Sequence, residues 1–415
     1  MYASKVIEAA IARYEAKAGH KLIRISNDAR DGWVEHLDKR VAAAGGDASQ
    51  LDLTQEERLF IRNERVMCMT SFSYWSHYAM IQRDGGGVCN FDHPWESTRI
   101  LLRFIASIEQ EQHDAIARGE MTPYSIAGQP KPAVPGILVA LNKSRQLAAT
   151  TSGRLITMHR LTTQRDRRAL AASVDDDKIQ EMYDRDKLVY SHLPWFLKPP
   201  IQYDEKAGHL HLADVNSRVL YQVSSQKSGI GVGRQIDIHH LTELSTWLNP
   251  GAVELDFFPT IPRSISTFGL EESTPYGRGN WWHEWTEKVR KGHSQRWRYL
   301  FIPWYAELSK YRSAPPEEWR PSEAALLHAQ KVYDTSAQYV GRTLMLPREN
   351  LYWWETTREE YRKGDRLNYF LTSYAATPEE SFQHSQASAF PADFLAEMRD
   401  RTRPGATYEI EAVRA

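Results

Sequence analysis

Cysteine is nearly absent from this chain, with only Cys68 and Cys89 in 415 residues. Two isolated thiols build no disulfide framework and match no zinc-ligand spacing, and they suit a reducing cytoplasm. A dominant charge is missing too: the formal net charge is −1, from 52 basic and 53 acidic side chains. No global basic field draws in nucleic acid, so any DNA contact must be local. No apolar run approaches the roughly 20 residues of a membrane span. The opening MYASKVIEAAIARYEAK is amphipathic and charged, unlike a signal peptide. Internal repeats and low-complexity tracts are lacking as well.

What remains is a globular composition, 41% hydrophobic and 25% charged, long enough for two or three lobes. Thirteen tryptophans point to core and inter-lobe packing. Residues 1–120 read as a helical N-terminal lobe, interrupted by the Gly85-Gly86-Gly87 turn and a short segment around Val88 to Phe91. A Pro/Gly-rich stretch, Thr122 to Gly136, reads as a linker. Within residues 121–310, short apolar strands (GILVALN, ALAASV, VLYQVSS, IDIHHL, SISTFGL, RYLFIPW) alternate with helical patterns. That alternation predicts an α/β fold with a mainly parallel sheet flanked by helices. Residues 311–415 are helical and charged, as a lid or linker would be.

The most informative segment is Lys143-Ser144-Arg145-Gln146-Leu147-Ala148-Ala149-Thr150-Thr151. It lies between an apolar strand and a helical pattern, the setting of a phosphate-binding loop, where backbone N–H groups and the helix dipole face an anion. Thr150 sits where the standard loop puts its Mg²⁺-binding hydroxyl, while Lys143 takes the first glycine position and Ala148 the second. By itself the segment also reads as an ordinary strand-to-helix turn.

A second segment, Ile236 to Glu243, is an apolar strand ending in an acid. Glu243 is placed to polarise an attacking water. Thr242 stands where an aspartate usually precedes it, so the metal would be held more weakly, through water. A lone glutamate at a strand end is otherwise a solvated cap. A third segment, Glu271 to Gly279, follows a strand with small hydroxyl residues able to touch a γ-phosphate; its plain reading is a turn.

Together and in this order, the segments resemble the large terminase subunit of tailed bacteriophages, the ATPase of the DNA-packaging motor. KSRQLAATT fits the family's K-[SA]-R-Q-x-G-x-[ST]-T loop except at Ala148. His240-Leu241-Thr242-Glu243, then Trp247, fits H-x-[ST]-E followed by an aromatic residue. EESTPYG fits E-S-T-x-x-G, Phe301-Ile302-Pro303-Trp304 fits F-x-P-W, and Tyr374 to Phe382 fits Y-x-x-T-P-E-E-x-F. The similarity spans roughly residues 60 to 390.

The resemblance implies an additional-strand (ASCE), RecA-like P-loop NTPase that binds ATP and Mg²⁺. Lys143 would reach the β- and γ-phosphates, and Arg145 would stabilise transition-state charge in its own subunit or across a boundary. Ser144, Gln146 and Leu147 would belong to the ATP-binding loop, the last two shaping it, and the N–H groups of Ala148, Ala149 and Thr150, with Thr151 beside them, would cradle phosphate. Thr150, with Thr242 and Glu243, would form the metal side; Glu243 would activate water; Ser273 and Thr274 would couple hydrolysis to lobe movement. Phe72 to Tyr78 resembles the family's region near the adenine, although the usual glutamine near Trp95 to Thr98 has no counterpart; for Phe72 and Trp75 core packing is the expected role.

The family normally continues into an RNase H-like nuclease with clustered aspartates. No such cluster occurs before Ala415; Asp175-Asp176-Asp177 reads as acids at a helix N-terminus. ATPase without nuclease activity is therefore expected. Double-stranded DNA, a portal protein, a small terminase subunit and a homo-oligomeric ring are the partners implied, without a membrane, in the cytoplasm of an infected bacterium. The basic runs HRLTTQRDRR (159–168) and RKGHSQRWR (290–298) are candidate DNA contacts. Two other readings stand: a degenerate P-loop assembly protein that binds DNA or portal without turnover, and another DNA-dependent ATPase of helicase type.

Overall fold

The computed structural model describes residues 4–382, apart from residues 20, 24, 84–85, 92–93, 206–208, 225–229 and 232–233. The chain begins with helices α1 (Ser4–Ala18), α2 (Asn27–Ala43), α3 (Gln55–Thr70) and the short α4 (Phe72–Trp75). Thr54 and Glu57 form a reciprocal capping box that starts α3. Ser71 ends α3 and accepts a hydrogen bond from the Tyr74 amide, so the helical pattern breaks there and does not run on to Ile81. Strands β1 (Met80–Gln82) and β2 (Val88–Asn90) then pair as an antiparallel hairpin. Gly86 and Gly87, both at positive φ, belong to its turn; Gly85 lies outside the described residues.

After α5 (Glu96–Ala117) comes the sheet: β3 (Ile137–Lys143), helix α6 (Ala149–Thr163), β4 (Arg168–Ser173), helix α7 (Asp176–His192), then β5 (Ile201–Glu205), β6 (His209–Leu212) and β7 (Ser217–Val223). Next follow β8 (Ile238–Thr242), β9 (Phe268–Ser273), helix α8 (Trp281–Arg290) and β10 (Trp297–Ile302). Helices α9 (Glu323–Val340), α10 (Arg348–Lys363), α11 (Leu367–Ser373) and α12 (Pro378–Ser381) close the described chain.

All six strands expected from apolar runs form. The eight-stranded sheet has the order β10-β3-β9-β8-β4-β7-β6-β5. Its first six strands are parallel and the β7-β6-β5 edge is antiparallel. The two antiparallel edge strands, rich in polar residues, carried no apolar run and were not foreseen.

Every residue of β3, β8 and β9 is buried, because helices cover both faces of a parallel sheet. Side chains alternate between the two layers. Ile137, Val139 and Leu141 join the core with α3, α5, α6 and α7, whereas Leu138 and Ala140 pack with Phe257, Phe258, Trp282 and Trp285. The same alternation buries both His239 and His240, on opposite faces. It also corrects one candidate DNA contact. His159 and Arg160 are buried in α6, His159 against Phe72 and Trp75 and Arg160 bonding the Ser266 carbonyl, so only the end of the 159–168 run reaches the surface. Asp175 caps α7 through the Lys178 amide, the helix-start role read from the sequence.

Candidate functional site

The loop from Ser144 to Ala148 joins β3 to α6 in five residues. Gln146 (φ 56°) and Ala148 (φ 53°) both adopt the left-handed conformation. The first N–H groups of α6 have no carbonyl within the helix to bond, and Ala149, Thr150 and Thr151 bring them to a cleft. Neighbouring elements hold the loop. Ser97 Oγ on α5 donates to the Leu147 carbonyl (3.0 Å), and Thr98 Oγ1 lies 2.8 Å from Ser152 Oγ. From the C-terminal helices, the Ser373 carbonyl accepts from the Arg145 amide (3.0 Å) and the Tyr311 hydroxyl donates to the Arg145 carbonyl.

An L-residue in the left-handed region costs about 1–2 kcal/mol. Replacing Ala148 by glycine removes that cost but makes the unfolded chain freer by about 0.4–1 kcal/mol. A net stabilisation of about 0.5–1 kcal/mol is therefore expected. Chemical denaturation of Ala148→Gly checks this, and a loss of stability would show that the loop carries no strain at this position.

The cleft has a volume of about 1050 Å³. Among the described residues, six cations line it (Arg83, Lys143, Arg145, Arg185, Lys310 and Arg154, the last paired with Asp186 behind it) against one carboxylate, Glu243. Such an imbalance in a concave site selects a polyanion. Lys143 is buried, its Nζ lying 3.9 Å from Glu243 Oε1 and 3.7 Å from Glu272 Oε2. Arg145 is exposed, with its guanidinium 5.2 Å from the Tyr369 ring centre. Glu243 follows β8 in the left-handed region (φ 59°), which turns its partly exposed side chain out of the strand and into the cleft. Of the six described non-glycine residues at positive φ, three (Gln146, Ala148, Glu243) border this cleft, as strained backbone tends to do at working sites.

Beyond Glu243 the strand ends are laced together. Ser273 Oγ accepts from the Ser245 amide (3.0 Å) and donates to Ser245 Oγ (2.8 Å), and Ser245 Oγ donates to the Thr274 carbonyl (2.7 Å). Thr274 faces the cleft and Ser273 is buried behind it. The hydroxyl pair thus connects the Glu243 turn to the end of β9.

Three sequence expectations change. Ser144 does not line the cleft: it is buried and its Oγ points to the Ala375 carbonyl (3.4 Å). Thr242 is buried at the end of β8 and does not line the cleft either. Phe72 and Trp75 are core residues, the role expected of them, but the rest of the wall expected from 72–78 is built instead by the β1 segment Met80 to Arg83.

The sequence reading also missed a residue. β9 runs on through Ser273, so Glu271 and Glu272 are strand residues rather than turn residues. Glu272 is fully buried and accepts from Thr150 Oγ1 at 2.7 Å. Burial opposes its charge, but Lys143, His240 and Thr150 together hold its carboxyl down at about 2. Burial pushes the His240 imidazole below its ordinary range, and its Nε2 lies 3.1 Å from Glu272 Oε1. A Cβ on Gly153 would come within 2.4 Å of His240 Cε1, so only glycine lets α6 lie over this pair. The motif E-S-T held the signal; nothing local said that its glutamate faces Thr150.

A strand, β9, is inserted between the phosphate-loop strand β3 and the acidic strand β8. Lysine, hydroxyl and glutamate meet at the carboxyl ends of these strands, where open α/β sheets bind ligands. This is the fold of an additional-strand P-loop NTPase. No protein-family model matches the chain, and no curated protein matches it. Among solved structures, it is similar to the large terminase of bacteriophage HK97 (TM-score 0.38, 10% identity), over 56% of this chain and 45% of that one. It is similar also to the large terminase ATPase domain of Thermus phage P74-26 (TM-score 0.35, 13% identity), over 50% of this chain and 88% of that one. The chain thus spans less than half the length of the HK97 protein. Among the described residues, no helix is long and apolar enough to cross a membrane.

Proposed function

We propose that this chain is the ATPase of a DNA-packaging motor of the large-terminase type, hydrolysing ATP to drive double-stranded DNA into a preformed capsid. The observation that carries the ATPase part is the convergence of Lys143, Thr150 and Glu243 in a cation-lined cleft at the head of an additional-strand sheet. The packaging part is supported by the ordered set of sequence motifs from Lys143 to Phe382.

In this reading Lys143 and the first N–H groups of α6 bind the β- and γ-phosphates. Glu243 orients a water for in-line attack on the γ-phosphorus and takes its proton as the bond to the ADP oxygen breaks. Arg145 serves the transferring group from the open side of the cleft. Mg²⁺, a hard ion that favours oxygen donors, would be held on the Thr150 side and would offset phosphate charge. Loss of γ-phosphate is felt by Thr274, and through Ser245 and Ser273 by the Glu243 turn. The carbonyl contacts of the loop with Ser373 and Tyr311 give the C-terminal helices a mechanical link to the same event. DNA, portal, small subunit and a subunit ring are partners in this proposal. The exposed part of the 290–298 run is the stronger DNA candidate, since 159–168 is half buried. Helicases of the rival class carry a second RecA-like lobe, and the described residues contain one parallel sheet.

The test is steady-state ATP hydrolysis by the chain, with and without duplex DNA, beside Lys143→Ala. Turnover that Lys143→Ala abolishes, raised by DNA, supports the motor. Absence of nucleotide binding by the unmodified chain would reject the ATPase and favour an assembly protein.

A further inference from the structure

The acidic strand lacks a carboxylate before Glu243; Thr242 holds that place. Parallel pairing sets Thr242 of β8 directly beside Glu272 of β9. Thr242, His240 and Glu272 share the sheet face that looks toward α6, where Thr150 lies in the first turn. The acid absent from one strand is therefore present on its neighbour, at the same level of the sheet.

We propose that Glu272 supplies the displaced metal-side carboxylate of this site, a positioning residue that fixes the Thr150 hydroxyl and accepts from water in the shell of nucleotide-bound Mg²⁺. The inference rests on the ATPase reading above.

Two features distinguish Glu272 from a structural acid. Its Oε1 is engaged by Thr150 (2.7 Å) and His240 (3.1 Å), yet its fully buried Oε2 accepts no hydrogen bond and lies 3.7 Å from Lys143 Nζ. A buried carboxylate oxygen without a donor is costly unless something arrives to use it. The adjacent Glu271, on the opposite face, has both oxygens occupied, Oε1 by His239 and Oε2 by Trp297 Nε1 (2.8 Å). The open oxygen also fits the ion. Mg²⁺ keeps several waters and takes one or two protein oxygens besides phosphate, and Thr150 with Glu272 offers a hydroxyl and a charge where Thr242 offers no charge. His240, wedged beneath Gly153, supports the carboxylate from behind and fixes its rotamer, the part that partners of metal-side groups usually play.

The experiment measures binding of a fluorescent, non-hydrolysable ATP analogue to the full chain across a Mg²⁺ titration and in EDTA. The wild type is expected to bind more tightly with Mg²⁺. Glu272→Gln is expected to keep the metal-free affinity and to shift the Mg²⁺ midpoint upward by about 10–100-fold, the usual effect of losing such a partner. Glu272→Asp, which keeps the charge, is expected to shift it less. Thr242→Asp with Glu272→Thr, returning the acid to β8, is expected to restore the midpoint. Glu271→Gln serves as control: it should lower the melting temperature without moving the midpoint. If Glu272→Gln does not fold, Glu272→Thr by itself takes its place beside Glu272→Asp. An unchanged midpoint in the folded single variants of Glu272, or an equal shift in Glu271→Gln, overturns the proposal. Failure of the wild type to bind the analogue under any condition would instead overturn the ATPase reading.

Discussion

Glu243→Gln is expected to lower ATP turnover by about 10²–10⁴-fold, the usual contribution of a positioned base, while nucleotide affinity stays within a few-fold of wild type. Glutamine keeps the size of the side chain and removes the ability to take a proton. Glu243 stands outside β8 at φ 59°, so it contributes little to the sheet and its replacement should leave the fold intact. Lys143 Nζ lies 3.9 Å from its Oε1, which keeps the carboxylate beside the group proposed to bind phosphate. Single-turnover phosphate release, paired with equilibrium binding of the fluorescent analogue, separates the two effects. Unchanged turnover would place the base elsewhere; equal loss of binding and turnover would make Glu243 a ligand-binding rather than a catalytic group.

The largest stability effect is expected at Asp186. Arg154, on the helix that opens with Thr150, is fully buried and forms a two-armed pair with Asp186 of α7, one arm being Nε to Oδ1 at 2.9 Å. The Tyr221 hydroxyl donates to the same carboxylate at 2.6 Å. Asp186→Ala strands a buried guanidinium and a buried phenol together, and removing one partner of a buried pair costs about 3–5 kcal/mol. Denaturant unfolding of this variant should show that loss. Replacing both partners at once, Arg154→Met with Asp186→Leu, should be far milder than the single change, because no charge is left unpaired. A cost under about 1 kcal/mol for Asp186→Ala would mean that water reaches Arg154 and that the pair does not clamp α6 to α7.

The site reads well from sequence, while its support does not. The apolar run before Lys143 could only be a buried strand. The small residues after it suit a helix start, and Asp175 is a helix cap by chemistry alone, as the structure bears out. The polar strands β5 and β6 escaped because an antiparallel edge needs no continuous apolar run. The 159–168 run misled because charge in sequence does not say which turn of a helix is covered; α3 and α4 cover this one, with His159 bonding the Cys68 carbonyl.

Sequence by itself determined the local units: six strands, the capped helices, the Lys143–Thr151 loop and the Glu243 turn. These follow from periodicity, capping and turn chemistry, all of which act within a few residues. Only the tertiary structure decided that β9 lies between β3 and β8, that both histidines are buried, and that Glu272 reaches Thr150, 122 residues away in the chain. Strand order is set by how crossover helices pack on both faces of the sheet, and a side chain's partner across two strands leaves no trace in the spacing of either.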